Sequence, residues 1–154
     1  MVPAAHADHA AAPTETVTEP ILIRRARGAD VPAILNLIHI GTKSGKILKR
    51  SPTDVRRNLR GFRVVEESGR IVACGSLEVY SRKLAEVRSL SVHPDCRRRG
   101  IASALIAEFL KEARRRRVYE VLAITDREQL FKRQGFADQL HGQSALFSRP
   151  GGGR

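Results

Sequence analysis

Tryptophan is absent from this sequence, and other aromatic residues are few: two tyrosines and five phenylalanines, 5% of the chain. Proteins that hold single-stranded nucleic acid stack bases on aromatic side chains, so such scarcity argues against that role. Cysteine is nearly absent as well. Cys74 and Cys96 are the only two, and they lie far apart. Two cysteines give neither a disulfide framework nor a metal signature. They are expected to be free thiols in a reducing cytoplasm. The five histidines, His6, His9, His39, His93 and His141, show no metal-ligand spacing, and no metal is expected. No apolar run approaches the ~20 residues that span a bilayer. Acidic residues are scarce beside basic ones, 16 against 28, leaving a formal net charge of +12. A domain this basic attracts polyanions, whether nucleic acid or a phosphorylated cofactor.

The 154 residues, 42% of them hydrophobic, suit one domain with a two-layer core. Residues 1–20 are rich in Ala, Pro, Thr and Glu, and no basic start precedes an apolar stretch. They read as a disordered tail rather than a secretory signal. The Gly-rich residues 149–154 read as a flexible end. The single domain is expected over 21–148.

Within it, Ile21 to Arg25 alternates like a strand. Asp30 is the expected N-cap of a helix with Val31, Ile34, Leu35 and Ile38 on one stripe. Gly41 to Gly45 is expected to be a loop. Ser51-Pro52 then starts a short helix carrying Val55 and Leu59, ended by Gly61. Phe62 to Glu67 and Arg70 to Val79 form a hairpin pattern around Ser68-Gly69. Ala85 to Val92 is a further strand, stopped by His93-Pro94-Asp95. Gly100 to Arg117 is the longest helix, with Ile101, Leu105, Phe109 (or Ile106) and Ala113 on one face. Val118 to Ile124 is a strand, Arg127 to Gln134 a short helix, and Gln143 to Ser148 a last edge strand. This order predicts an α/β fold with a mixed central sheet and helices on both faces.

The chemistry concentrates around Arg97-Arg98-Arg99-Gly100-Ile101-Ala102, between an apolar strand and an amphipathic helix. A helix N-terminus leaves backbone N–H groups unpaired and carries partial positive charge. Gly100 and the small Ala102 let a ligand approach the backbone. Such a loop cradles a pyrophosphate, and arginines add charge-assisted bonds. A basic turn with no ligand would carry the same residue types. Gly41-Thr42-Lys43-Ser44-Gly45-Lys46 looks like a P-loop, but it has three residues between its glycines instead of four, and Ile47 stands where Ser or Thr belongs.

The stretch SLSVHPDCRRRGIASALIAEFLKEA resembles the acetyl-CoA-binding motif of the GNAT acetyltransferases, whose pattern is Arg/Gln-x-x-Gly-x-Gly/Ala after a strand ending near Pro. Arg97, Gly100 and Ala102 match it, and the element order agrees from Ile21 through Phe136. The resemblance implies acetyl-CoA as co-substrate. It implies that the strand backbone at Leu90, Ser91 and Val92 holds the pantetheine arm, and that Arg97, Arg98, Arg99, Gly100, Ile101 and Ala102 hold the pyrophosphate. An ammonium cannot attack a thioester, so a base is needed. Glu86 resembles the family's general base, and a surface carboxylate paired with arginine is the alternative. The family often uses a Tyr four residues before the Gly-Phe near the domain's end to protonate the thiolate. Here that pair is Gly135-Phe136 and the position is Phe131, which has no hydroxyl. Thr125 is the nearest alternative, equally readable as a strand-end cap.

The segments around LKRSPTDVRRNLRGF, LAEVRSL and LAITDREQLFKRQGF further resemble the acetyltransferase domain of N-acetylglutamate synthases. That resemblance implies acetylation of glutamate at the entry to arginine biosynthesis, by a short stand-alone form. It implies that Arg50, with Lys49, binds a substrate carboxylate and that Ser144 is a second carboxylate contact. A homodimer through late strands is also implied. Two other readings stay open: acetylation of a protein N-terminus or lysine, as by ribosomal-protein acetyltransferases, and a basic nucleic-acid-binding module.

Overall fold

Five strands form one mixed sheet in the computed structural model, which describes residues 20–43 and 47–151. Almost all of the expected N-terminal tail, part of the loop after Gly41 and the last three residues lie outside the described residues.

β1 is Ile23–Arg25, β2 Phe62–Glu67, β3 Arg70–Val79, β4 Leu84–Val92 and β5 Glu120–Ala123. They lie side by side in that order. The first three junctions are antiparallel and the β4–β5 junction is parallel. A two-residue turn suffices between β2 and β3, with Ser68 and Gly69 at φ 48° and 75°. Two positive φ values in succession are what a twisted hairpin needs, and Gly supplies one freely. The parallel junction requires a crossover, which α3 (Ile101–Arg115) provides.

α1 (Val31–Lys43) and α2 (Pro52–Arg57) cover one face, and α3 and α4 (Glu128–Lys132) cover the other. Strand alternation sorts the core between them. Phe62, Val64 and Cys74 meet Val31, Ile34, Leu37, Ile38 and Val55. Ala73, Leu77, Ala85 and Val87 meet Ile101, Leu105, Ile106, Phe109 and Ala113. Burying each large apolar side chain contributes about 1.5–3 kcal/mol, so these two layers hold the sheet rigid between its helices.

Several expectations are corrected. Asp30 does not cap α1. Its carboxylate turns back to accept from Arg27 N at 2.7 Å and from both terminal nitrogens of Arg24 at 2.7 and 3.0 Å, tying β1 to the helix start. α1 continues through Gly41 to Lys43, where a loop was expected. Ile47 packs so closely that a Cβ on Gly41 would lie 2.4 Å from its Cδ1, so a glycine serves there inside a helix. Ser51 does cap α2, accepting from Asp54 N at 3.1 Å. The expected last strand does not join the sheet. Among the described residues, Gln143–Ser144 (β7) pairs only with Gln139–Leu140 (β6), in a separate exposed hairpin. No helix among the described residues is long and apolar enough to cross a membrane.

Candidate active site

β4 breaks its own alternation. Cys74 pairs with Ser91 and Ser76 with Arg88, so Gly75 alone opposes both Ser89 and Leu90. This is a β-bulge, with Ser89 at φ 56°. Before it, Ala85 and Val87 face α3; after it, Leu90 and Val92 do. Ser89 and Ser91 thereby turn to the α1–α2 face. Ser91 Oγ donates to Leu37 O at 2.9 Å and pins β4 to α1.

The bulge also marks where the sheet opens. β4 and β5 pair from Leu84↔Glu120 to Val87↔Ala123 and no further. The β5-facing backbone of Arg88 to Val92 thus has no strand partner among the described residues. Backbone N–H and C=O groups in such a gap need hydrogen-bonding company, which the amides of an extended ligand supply.

The open edge leads to the loop before α3. Gly100 has φ 78° and precedes α3, and a Cβ there would meet nothing within 4 Å. Its glycine therefore serves the backbone conformation and leaves the helix N-terminus uncovered. A cavity of about 480 Å³ lies against it, lined by Arg97, Arg98, Gly100 and Ala102, and by Arg127 and Arg133 from across the cleft. No carboxylate among the described residues lines it. Arg99 turns away. Its guanidinium binds Glu67 at 2.6 and 2.9 Å, and hydrogen bonding from Arg99 holds that carboxyl below the usual carboxylate range. Of the arginine triplet, Arg97 and Arg98 face the cavity and Arg99 fastens the loop to β2.

Glu86 lies on β4 opposite Glu78, half-buried on the α1–α2 face. Tyr80 Oη donates to Glu86 Oε2 at 2.5 Å. Partial burial, and then the hydrogen bond to Glu86, push the Tyr80 phenol up to about 12, so it stays a neutral donor through the physiological range. Next along the same face, Arg88 Nη1 binds Glu78 Oε2 at 2.6 Å. Arg50 is buried at 7% exposure. Its Nε donates to Asp54 Oδ2 at 2.5 Å, its Nη1 donates to Ser89 Oγ at 3.2 Å, and its guanidinium lies 5.5 Å from the Phe62 ring centroid. Hydrogen bonding from Arg50 holds the Asp54 carboxyl below its ordinary value. Arg50 Nη2 is buried without a hydrogen-bond partner among the described residues, 4.0 Å from Glu78. An orphaned, charged N–H donor costs about 1–3 kcal/mol or more until something accepts from it.

A family model described as "Acetyltransferase (GNAT) domain" matches residues 58–138. This chain belongs to the GNAT acetyltransferases. An uncharacterised N-acetyltransferase of Chlorobaculum tepidum is 33% identical over 116 residues, 75% of either chain. An amino-acid acetyltransferase of Mycobacterium tuberculosis is 34% identical over 121 residues, 76% of this chain and 68% of that protein. Longer relatives match too: the chain spans 26% of an amino-acid acetyltransferase from Actinobacillus pleuropneumoniae, at 31% identity. Among solved structures, a Mycobacterium tuberculosis protein in complex with CoA and a second ligand superposes with a TM-score of 0.74 at 30% identity, over 77% of this chain and 73% of that one.

This GNAT chain fits acetyl-CoA as its co-substrate: an open strand edge for the pantetheine amides, then an arginine-lined cavity at a helix N-terminus. The other residues singled out from the sequence fall into two groups. Thr125 lies two residues beyond the end of β5, and its Oγ1 accepts from Arg127 N at 2.9 Å. It caps the turn, yet its own proton is not consumed by that bond. Phe131 is buried and packs edge-on against Phe136 at 5.1 Å. Lys49 is exposed, and Ser144 sits on the exposed β6–β7 hairpin, outside the sheet that carries the rest. Tyr80, Ser89, Arg88, Arg127 and Arg133 were not singled out. Tyr80 was within reach: in the β3–β4 hairpin register its side chain alternates onto the face of Glu78 and Glu86.

Proposed function

We propose that this acetyltransferase moves the acetyl group of acetyl-CoA to the α-amine of a small amino acid, with L-glutamate as first candidate, in the cytoplasm and at the entry to arginine biosynthesis. The observation that carries this reading is Arg50, a buried guanidinium with one unpartnered terminal nitrogen on the face that holds Glu86. Guanidinium forks bind carboxylates bidentately, and every amino acid brings one. The likeness to amino-acid acetyltransferases supports the same class.

Each residue then has a role. Leu90, Ser91 and Val92 hold the pantetheine arm by backbone groups, and Arg97, Arg98, Gly100, Ile101 and Ala102 hold the pyrophosphate. Acetyl-CoA supplies an acyl thioester, which a neutral amine can attack. Near pH 7 most amines are ammonium ions, so Glu86 takes a proton, directly or through water. Tyr80 fixes the orientation of that carboxylate. The Thr125 hydroxyl gives a proton to the departing sulfur, whose ordinary pKa of ~8.5 makes this help modest. Arg50 aligns the acceptor's carboxylate, Lys49 adds charge, and Ser144 is a further carboxylate contact. β5 is an open sheet edge, and the following segment exposes Leu140, Leu146 and Phe147; both support a homodimer.

The test is thiol release from acetyl-CoA with a panel of glutamate, glutamine, aspartate, other amino acids, polyamines and basic peptides. A preference for glutamate supports the full reading, and a preference for another amino acid keeps its class. Turnover confined to peptides would transfer the enzyme to protein acetylation.

A further inference from the structure

The phosphate cavity has a second wall that the GNAT motif does not include. It is made by Arg127, Leu130 and Arg133. Their spacing of three puts them on one side of α4, with Arg127 just before the helix and Arg133 just after it. Leu130 is half-buried and gives an apolar patch between two exposed guanidinium groups. Neither guanidinium makes an ion pair or hydrogen bond among the described residues. Together with Arg97 and Arg98, the cavity gathers arginines in a chain where Arg24, Arg50, Arg88 and Arg99 are each held by a carboxylate.

The co-substrate carries two kinds of phosphate. Its pyrophosphate is matched by the α3 N-terminus and the loop around Gly100. Its adenosine end bears a 3′-phosphate monoester of about −1.5 to −2 charge at neutral pH, the densest anionic group in the molecule. An apolar patch flanked by two unpaired guanidiniums suits a purine with that phosphate beside it, since arginine forks match phosphate oxygens.

We propose that Arg127 and Arg133 bind the 3′-phosphate of the co-substrate, with Leu130 under the adenine, so that this enzyme discriminates CoA from 3′-dephospho-CoA. The proposal rests on acetyl-CoA as co-substrate and is independent of which amine is acetylated.

Calorimetric titration of the full chain with CoA and with 3′-dephospho-CoA tests it without turnover. Wild type is expected to bind CoA about tenfold or more tightly than the dephospho form, the usual scale for losing charge-assisted bonds. In Arg127→Gln/Arg133→Gln that ratio falls to about threefold or less, while affinity for 3′-dephospho-CoA stays within about twofold. Arg127→Lys/Arg133→Lys, which keeps the charge, retains most of the preference. Equal binding of both ligands by wild type overturns the proposal and leaves the co-substrate intact. Equal weakening of both ligands in the Gln variant also overturns it, by moving the two arginines to the pyrophosphate. Binding of neither ligand by wild type would sink the co-substrate reading, and this proposal with it.

Discussion

Replacing Arg50 with alanine separates its two jobs. The side chain is 2% exposed, and Asp54, its closest partner, is 41% exposed. Stranding a buried partner costs about 3–5 kcal/mol, but a carboxylate this open is rehydrated when Arg50 leaves. What remains is loss of the Ser89 bond and of the contact with Phe62. We expect about 1–2 kcal/mol of destabilisation, or a Tm lower by roughly 2–6 °C for a domain of this size. Binding is a separate matter. Charge-assisted bonds to a substrate carboxylate are worth about 1.5–3 kcal/mol, hence a fall of roughly 10- to 150-fold in kcat/KM for the amino acid. The assay is steady-state thiol release with acceptor and acetyl-CoA varied in turn, beside a thermal melt. Arg50→Lys should recover part of the stability and little of the acceptor KM, because a point charge lacks the fork. A lowered Tm with acceptor KM within about twofold of wild type would exclude carboxylate binding by Arg50 and leave it a structural residue.

Glu86→Gln should lower kcat by about 10²- to 10⁴-fold while CoA affinity by calorimetry is unchanged; retained turnover with the wild-type pH profile would remove Glu86 from the chemistry. Asp30 is buried, and its bond to Arg24, followed by the Arg27 N–H, holds its carboxyl below the ordinary value against the effect of burial. The stability it lends is therefore present above the unfolded pKa of ~3.9 and lost as pH falls through the lower folded value. Asp30→Asn should be less stable than wild type by about 1–3 kcal/mol at pH 7, a gap that urea titrations should find closing below about pH 4. Burial pushes the Cys74 thiol up to about 12, so iodoacetamide at pH 8 should leave it unlabelled in the folded protein. Cys96 lines the phosphate cavity and should label first, more slowly with CoA present; mass spectrometry of the peptides distinguishes the two.

Most of the frame was legible because it follows from periodicity. Alternation in β2 and β3, the Ser68-Gly69 turn and the apolar stripe of α3 each have a local cause. The extent of α1 was not, because Gly41 in a helix is justified only by Ile47 folding back on it. Gln143 to Ser148 alternates like a strand, but pairing needs a partner edge, and only Gln139–Leu140 meets it. The phosphate loop was legible as chemistry and only partly as geometry. Arg97, Arg98 and Arg99 are alike in sequence; Arg98 at φ 61° and Glu67 across the sheet decide which one turns away. Arg127 and Arg133 carried no signal, since their place on the cavity wall depends on α4 lying against a loop about thirty residues earlier in the chain.

The β4 bulge was written in the sequence as a broken spacing: Val87, Leu90 and Val92 are all apolar, three apart and then two. A strand that kept its period would have put Leu90 on the α1–α2 face and opened nothing. Gly75 is what lets the bulge sit against α3. A Cβ there would lie 2.9 Å from Phe109 Cε2 and 3.2 Å from Leu90 Cδ1. Phe109 is 1% exposed and has no room to retreat, so the β3 backbone at Gly75 must shift away from α3 and take the paired bulge with it. Gly75→Ala should therefore cost about 1–3 kcal/mol, the usual range for overpacking, and should also disturb the backbone that meets the pantetheine arm. Calorimetry should show weaker binding of CoA with little change for adenosine 3′,5′-bisphosphate, which reaches only the phosphate cavity. Equal loss for both ligands would mean that the bulge acts on the whole domain, and that its place beside the co-substrate edge is incidental.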